Sequence, residues 1–391
     1  MNYVLVLAAL PLAACLSPAA HGGEISTTVS TRDELISAVI NAVPGTRVLI
    51  NPGRYRGGID FSDLRGTESR PIVIAAADPR KPPVFEGGAS CFHLTNPSHV
   101  ELHNLVLIGA TGNGLNIDDG GSYESPAHHV VLRGLAVRDV GPNGNRDGIK
   151  LSGLDNFLVD SCTVERWGSG GSAIDMVGCH QGRILGCTFR HGRAGSGNGV
   201  QMKGGSRNIA VQRCRFENAG DRAVNIGGST GLDYFRPKPC KYEAKDITVE
   251  DSTFIGSTAP VAFVGVDGAV VRYNTIYRPT RWVVRILQET REAGFVPCRA
   301  GRFENNLIAF RSDELRTAVN VGDGTLPESF AFERNHWYCI DNPSRSDRVS
   351  LPVRELDGSF GQDPQFVNAP AGDLRLKKTS RTRSVGVRSA K

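Results

Sequence analysis

The 391 residues carry 45 Lys and Arg against 40 Asp and Glu, with 40% hydrophobic and 22% charged residues, which excludes a disordered chain, and no apolar run beyond the N-terminus reaches membrane-spanning length. Glycine (46) and proline (21) make up about 17% of the chain, above the usual ~12% and without a collagen period, so the chain reads as a turn-rich β protein. The net charge of +5 is local: residues 374–391 hold seven basic side chains and no acidic one, and the 38 basic against 40 acidic side chains elsewhere exclude a nucleic-acid footprint on the body.

In chain order, MNYVLVLAALPLAACLSPAAHGG begins apolar and ends in small residues, so residues 1–22 are predicted to be a signal peptide. Leu12-Ala13-Ala14-Cys15 resembles a bacterial lipobox, which would place a lipid on Cys15; cleavage after Ala19 or Ala20 would instead release a soluble protein. Both imply an exported protein, either periplasmic, secreted or lipid-anchored at the cell envelope. Thr31-Arg-Asp-Glu34 is a capping box, and Leu35, Val39 and Val43 with Ile36 and Ile40 make one apolar face. A helix over about 32–43 is predicted, ended by Pro44-Gly45, and it would cover an open first rung of strands.

From about residue 100 a pattern returns: HNLVL, RGLAV, SCTVE, GCTFR, RCRFE, DSTFI, YNTIY, NNLIA and RNHWY. The second residues are Asn104, Gly134, Cys162, Cys187, Cys214, Ser252, Asn274, Asn306 and Asn335, spaced 22 to 38 residues apart. A second strand recurs in step: GLNID (114–118), GIKLS (148–152), AIDMV (173–177), GVQMK (199–203), AVNIG (223–227), VVRIL (283–287) and AVNVG (318–322). Short alternating strands in a 22–38-residue repeat predict an all-β, single-stranded parallel β-helix over 24–367, with 368–391 a separate C-terminal segment and a solvated, frayed basic tail. A β-propeller would use longer, four-stranded repeats. Stacked Asn would bond the turn backbone along the axis, and Cys162, Cys187 and Cys214 read as buried filler in that column, with no zinc spacing.

GTRVLINPGRY after the helix, then GTESRPIVIAAADP and VFEGG, resemble the opening of right-handed β-helix carbohydrate-active proteins, closest to the chondroitinase B and alginate lyase family of polysaccharide lyases. The repeat and DPQFVN…GDLRL (363–376) resemble the wider group of bacterial right-handed β-helix repeat proteins, and the likeness covers roughly residues 30–376. It implies a right-handed coil and a carbohydrate ligand.

In the second strand set Leu, Ile, Val and Met point inward. Outward lie Asn116, Lys150, Asp175, Gln201, Asn225, Arg285 and Asn320, with Asp118, Ser152 and Lys203 two residues further on. One such side chain per ~4.8 Å rung matches the pitch of a sugar chain laid along the axis. Loops 119–128, 229–246 and 288–301 all follow this strand and would wall the file, with Tyr234, Phe235, Tyr242 and Phe295 placed to stack on sugars or pin the loops. Cys240 and Cys298, two coils apart on that edge, form a candidate disulfide in an oxidising compartment.

A uronic-acid chain is cleaved by β-elimination when a base takes the proton α to a carboxylate that a cation or Ca²⁺ neutralises. The resemblance implies a Lys base with an Arg on the adjacent coil, carried over here to Lys203 as base and Arg222 as acid or carboxylate partner. Lys150 is the alternative base, and Arg222, Arg236 and Arg285 are candidates to lower a lysine pKa. Asn116, Asp118, Asp175, Gln201, Asn225, Arg285, Tyr234 and Arg236 are the predicted substrate-binding residues. No acidic calcium cluster stands in register, so no metal ligand and no required cofactor is assigned, with Ca²⁺ left open. His180 and His191 read as turn or surface residues. Asp118, Asp119, Asp147 and Asp175 keep an inverting hydrolase as the second reading, since Asp118 and Asp175 lie two coils apart; a non-catalytic glycan-binding surface protein is the third. The expected partner is an acidic polysaccharide, not a nucleic acid, and the expected state a monomer.

Overall fold

The computed structural model describes residues 25–191 and 197–388. The signal peptide and Cys15 lie outside them. Strands fall into three parallel sheets of 13, 10 and 12 strands, in which each strand's neighbours come from the coils before and after. One coil runs Ser172–Val177, His180–Leu185, Thr188–Arg190, then rises to Asn198–Lys203. This is an all-β, single-stranded parallel β-helix. Among the described residues no helix is long and apolar enough to cross a membrane.

Because each strand alternates its side chains, one face fills the bore and the other faces out. Phe189, Phe216 and Phe254, on successive coils, are buried and stack at 5.0 and 4.6 Å between ring centroids. Each such pair contributes about 0.5–1.5 kcal/mol beyond its burial.

At the corner before that strand the expected ladder forms. Asn306 Oδ1 accepts from the backbone N–H and Nδ2 of Asn274, both at 3.0 Å, while Asn306 Nδ2 donates to Val271 O and Asn335 Oδ1, also at 3.0 Å. Asn335 ends the ladder on Glu355. Below, Ser252 Oγ accepts from Cys214 N (3.1 Å) and Cys187 Sγ from Cys162 N (3.4 Å). Asn104 and Gly134 are not in this column. Strand register sets Leu105 and Leu135 beneath Cys162, and Asn104 and Gly134 occupy the preceding left-handed turn position (φ 56° and 63°).

The cap helix runs Arg32–Ile40 with its capping box formed at Thr31 and Glu34. It ends three residues short of the expected 43. Leu35 and Val39 are fully buried, but Ile40 is 67% exposed, because two turns bring only one i, i+4 pair onto the first rung. The tail is not frayed as far as Arg388. Its guanidinium pairs with Asp251 (Nε–Oδ1 2.8 Å) and covers the Tyr273 ring, and Gly386 N donates to Asn305 O.

Two further expectations are corrected. Cys240 and Cys298 are free buried thiols, not a disulfide: Cys240 Sγ meets Tyr242 O at 3.2 Å and Cys298 packs in the core. His180 and His191 are buried rather than at the surface: His180 lies in a strand, Nδ1 3.3 Å from Asp155, while His191 does sit in the connection after Thr188–Arg190, bonded to Trp167 O at 3.0 Å.

Candidate active site

The outward file is one continuous ladder of register partners: Asp60, His93, Asn116, Lys150, Asp175, Gln201, Asn225, Ala262, Arg285, Asn320. The sequence reading omitted Ala262, from the wholly apolar strand Ala259–Val264, and the first two members, whose coils lack the repeat pattern.

Three charged groups meet at mid-file. Lys150 donates to Asp175 Oδ2 from the coil before. Lys203 lies beside Val177, two residues along from Asp175 on the coil after, and its Nζ reaches Asp175 Oδ1 at 3.5 Å. Asp175 is only 1% exposed, so its charge is tolerated because an ammonium flanks it on each side. Beneath lies Asp147, 2% exposed, whose Oδ1 accepts from Ser172 N at 2.7 Å and whose Oδ2 is 4.0 Å from Lys150 Nζ. Burial and the Asp175 charge push the Asp147 carboxyl up to about 6. Burial works against the Lys150 ammonium, but Asp175 and Asp147 outweigh it and hold Lys150 above the ordinary lysine value. The lowered pKa that a Lys150 base would need is therefore not found.

These lysines open into a cavity of about 480 Å³ walled by Tyr123, Tyr234 and Thr230 and edged by Asp118 and Asp119. The walls are held by one buried carboxylate. Glu243 accepts from Gly204 N (2.8 Å), Thr230 N (2.9 Å), Thr230 Oγ1 (2.7 Å) and the Thr290 hydroxyl, tying two loops to the sheet. Phe235, 2% exposed, packs edge-on to Phe295 at 5.2 Å, so both pin the loops rather than face a ligand. Tyr123 donates to the Asp233 carbonyl, joining the first loop to the second, and Tyr234 stands 65% exposed over the cavity. Asp119 is drawn in close because its neighbour is Gly153: a Cβ there would lie 2.1 Å from Asp119 Oδ2. Burial raises the Asp119 carboxyl.

A second cavity of about 830 Å³ adjoins the first at Ser229. The guanidinium carbons of Arg281 and Arg285 each lie 4.3 Å from the centre of the Trp282 ring. Arg222 faces them, paired with Glu289 at 2.7 Å. Burial, then the Arg222 charge, pulls Arg285 below its ordinary value.

The structure separates some residues expected together. Arg222 pairs in register with Asn198, the start of the strand whose last residue is Lys203. Five residues of strand, about 16 Å, divide them, and Gly227 rather than Arg222 stands over Lys203. Arg236 is 6% exposed and bonded to Asp155 (2.8 and 2.6 Å) and Gly178 O, so it anchors its loop at the lining of the first cavity. Gln201 and Asn225 are buried: Gln201 bonds Ser172, Asn198 and Gly227 O, and Asn225 accepts from Arg222. Asp118 is held by His93 (2.6 Å) and Asn116 (3.0 Å). Tyr123, Asp119, Arg281 and Trp282 complete the two cavities, and Asp147 lies buried behind Lys150. Asp119 and Asp147 were seen only as carboxylates; the others carry no repeat signal. No group of three acidic ligand atoms converges here among the described residues.

Residues 86–236 match a family model described as a right handed beta helix region. An alginate lyase from Paenibacillus sp. str. FPU-7 is similar at TM-score 0.51 and 18% identity, over 76% of this chain and 98% of that one. The pectate lyase Pel9A gives TM-score 0.56 and 14% identity over 90% and 86%. The Dettilon tailspike protein gives 0.58 and 11% over 86% and 67%. No curated protein matches. The chain is a right-handed parallel β-helix protein. In fold it resembles the alginate and pectate lyases, and at these identities the likeness is one of fold.

Proposed function

We propose that the protein is an exported polysaccharide lyase that cleaves a uronic-acid-containing chain by β-elimination at the Lys150–Asp175–Lys203 cluster. The observation that carries this is the pair of ammonium groups flanking one buried carboxylate at the floor of a walled cavity on the long polar file. In this reading Lys150 stays charged and neutralises the substrate carboxylate. Lys203, with the looser hold on Asp175, first gives up a proton to solvent and then, as the neutral amine, takes the proton from the carbon α to that carboxylate. The adjoining C–O bond breaks, a C=C bond forms, and the leaving oxygen takes a proton from the Tyr234 hydroxyl. Arg222, Arg285 and Trp282 hold a second uronate a few sugars away, which gives Arg222 a binding role in place of the acid role implied by resemblance. The likeness to lyases in fold supports the scaffold, and the N-terminal pattern supports export.

The test is incubation with alginate, pectate, chondroitin and glucuronan while following ultraviolet absorbance of unsaturated ends. Absorbance that is lost in Lys203→Ala is expected. Reducing ends without absorbance would make the protein a hydrolase, and retention on a glycan column with neither product would make it a binder; either result overturns the proposal.

A further inference from the structure

Three histidines meet on the 13-stranded sheet, outside both cavities. His99 lies in strand Ser98–His103, and His128 and His129 lie in strand Ala127–Arg133 of the next coil. Ser98 pairs with His128, so His99 stands directly beneath His129. Both have left-handed backbone, φ 52° and 55°. The same place on later coils carries Asn156, Gln181, Asn208 and Asp246, also left-handed, so the position is a left-handed kink repeated in register along the axis. Histidine is among the residues that tolerate this conformation. That explains a single histidine, not three converging rings.

The rings converge closely. His99 and His129 stack at 4.4 Å and 14°, and His128 stands edge-on to them at 5.3 and 5.0 Å. One ring nitrogen of each lies within 4.8 Å of the other two. Nδ1 of His128 and Nδ1 of His129 are 2.8 Å apart. Arg65, the nearby cation, is already bonded to Asp63 and to the Asn96 carbonyl.

We propose that His99, His128 and His129 form a binding site for a first-row transition-metal dication, Zn²⁺ above all, that ties one coil to the next. Three neutral imidazoles suit zinc, copper or nickel, and the absence of any oxygen ligand among the three argues against calcium. Zn–N bonds of about 2.0–2.1 Å place tetrahedral ligand nitrogens ~3.3 Å apart, which small ring rotations reach from the observed separations. His129 is exposed, so the fourth position faces solvent and takes water. The site is independent of the lyase reading.

The experiment is calorimetric titration of the tag-free, chelator-treated full chain with ZnCl₂. One equivalent should bind, and Co²⁺ in its place should give the intense visible bands of a tetrahedral site. The double variant His99→Asn, His129→Asn carries the residue that this left-handed position already accepts at 156 and 208, so it should fold. Its zinc affinity should fall by about tenfold or more, and the zinc-dependent rise in thermal midpoint seen in the parent should vanish. No stoichiometric binding to the parent, or the same affinity in the double variant, overturns the proposal.

Discussion

Lys150 and Asp175 are register partners on adjacent coils, and the ammonium of one rests on the almost fully buried carboxylate of the other. They are 25 residues apart in sequence yet form one electrostatic unit with Lys203 and Asp147. Removing one member leaves the others uncompensated. Asp175→Ala should cost about 3 kcal/mol or more by urea unfolding, since two mostly buried ammoniums lose their partner. A loss under about 1 kcal/mol would show that water screens the cluster.

Lys203→Ala and Arg222→Ala should behave differently because the two residues stand at opposite ends of one strand width. For the proposed lyase, losing the base should lower kcat by about 10²–10⁴-fold with the fold intact. Losing Arg222 should raise KM and leave kcat nearly unchanged. Equal kcat losses in both variants would return Arg222 to the reaction centre.

Asp147 gives stability a definite pH slope. Its carboxyl titrates at about 6 in the folded protein against ~3.9 unfolded, so the folded state holds the extra proton between these values. Stability is therefore fully present below the unfolded value and falls as pH rises through this window, by up to about 1.4 kcal/mol per pH unit. Asp155 acts oppositely. Burial raises it, but hydrogen bonds from His180 and Arg236 outweigh burial and hold it at about 2, so its contribution is lost as pH falls from ~4 towards 2. Chemical unfolding at pH 4.5 and 6.5 should show the first decline in the parent and its absence in Asp147→Asn.

Asn306→Ala tests the axial ladder. The change strips the acceptor of Asn274 N and Nδ2 and exposes the carbonyl of Val271 to an empty site, all in fully buried surroundings. Each orphaned group costs about 1–3 kcal/mol, so a loss of about 3 kcal/mol or more is expected by calorimetry. Cys187→Ala, which removes only weak sulfur hydrogen bonds (accepted from Cys162 N and donated to Val159 O and Leu185 O), should cost less.

The coil was legible in the sequence because its repeat is physical. Parallel stacking demands alternating strands of fixed length, while turns absorb insertions. Hence the file from Asn116 to Asn320 was readable wherever a strand kept a polar outward residue, and lost at Ala262 where the strand is apolar throughout. The ladder slipped by one residue at Asn104 and Gly134 because both types favour the left-handed turn as readily as the column beside it.

Where the repeat is legible, the sequence by itself determined which rung a residue occupies, since period-two alternation and a repeat of 22–38 residues set height and face. Position across the strand and the geometry of the loops were decided only in three dimensions. Register placed Lys203 and Arg222 at opposite edges of one sheet, and loop closure on Glu243 brought Tyr123 and Tyr234 over the lysines. Those contacts join residues with no common period, so their energy depends on a closed tertiary path that no local pattern encodes.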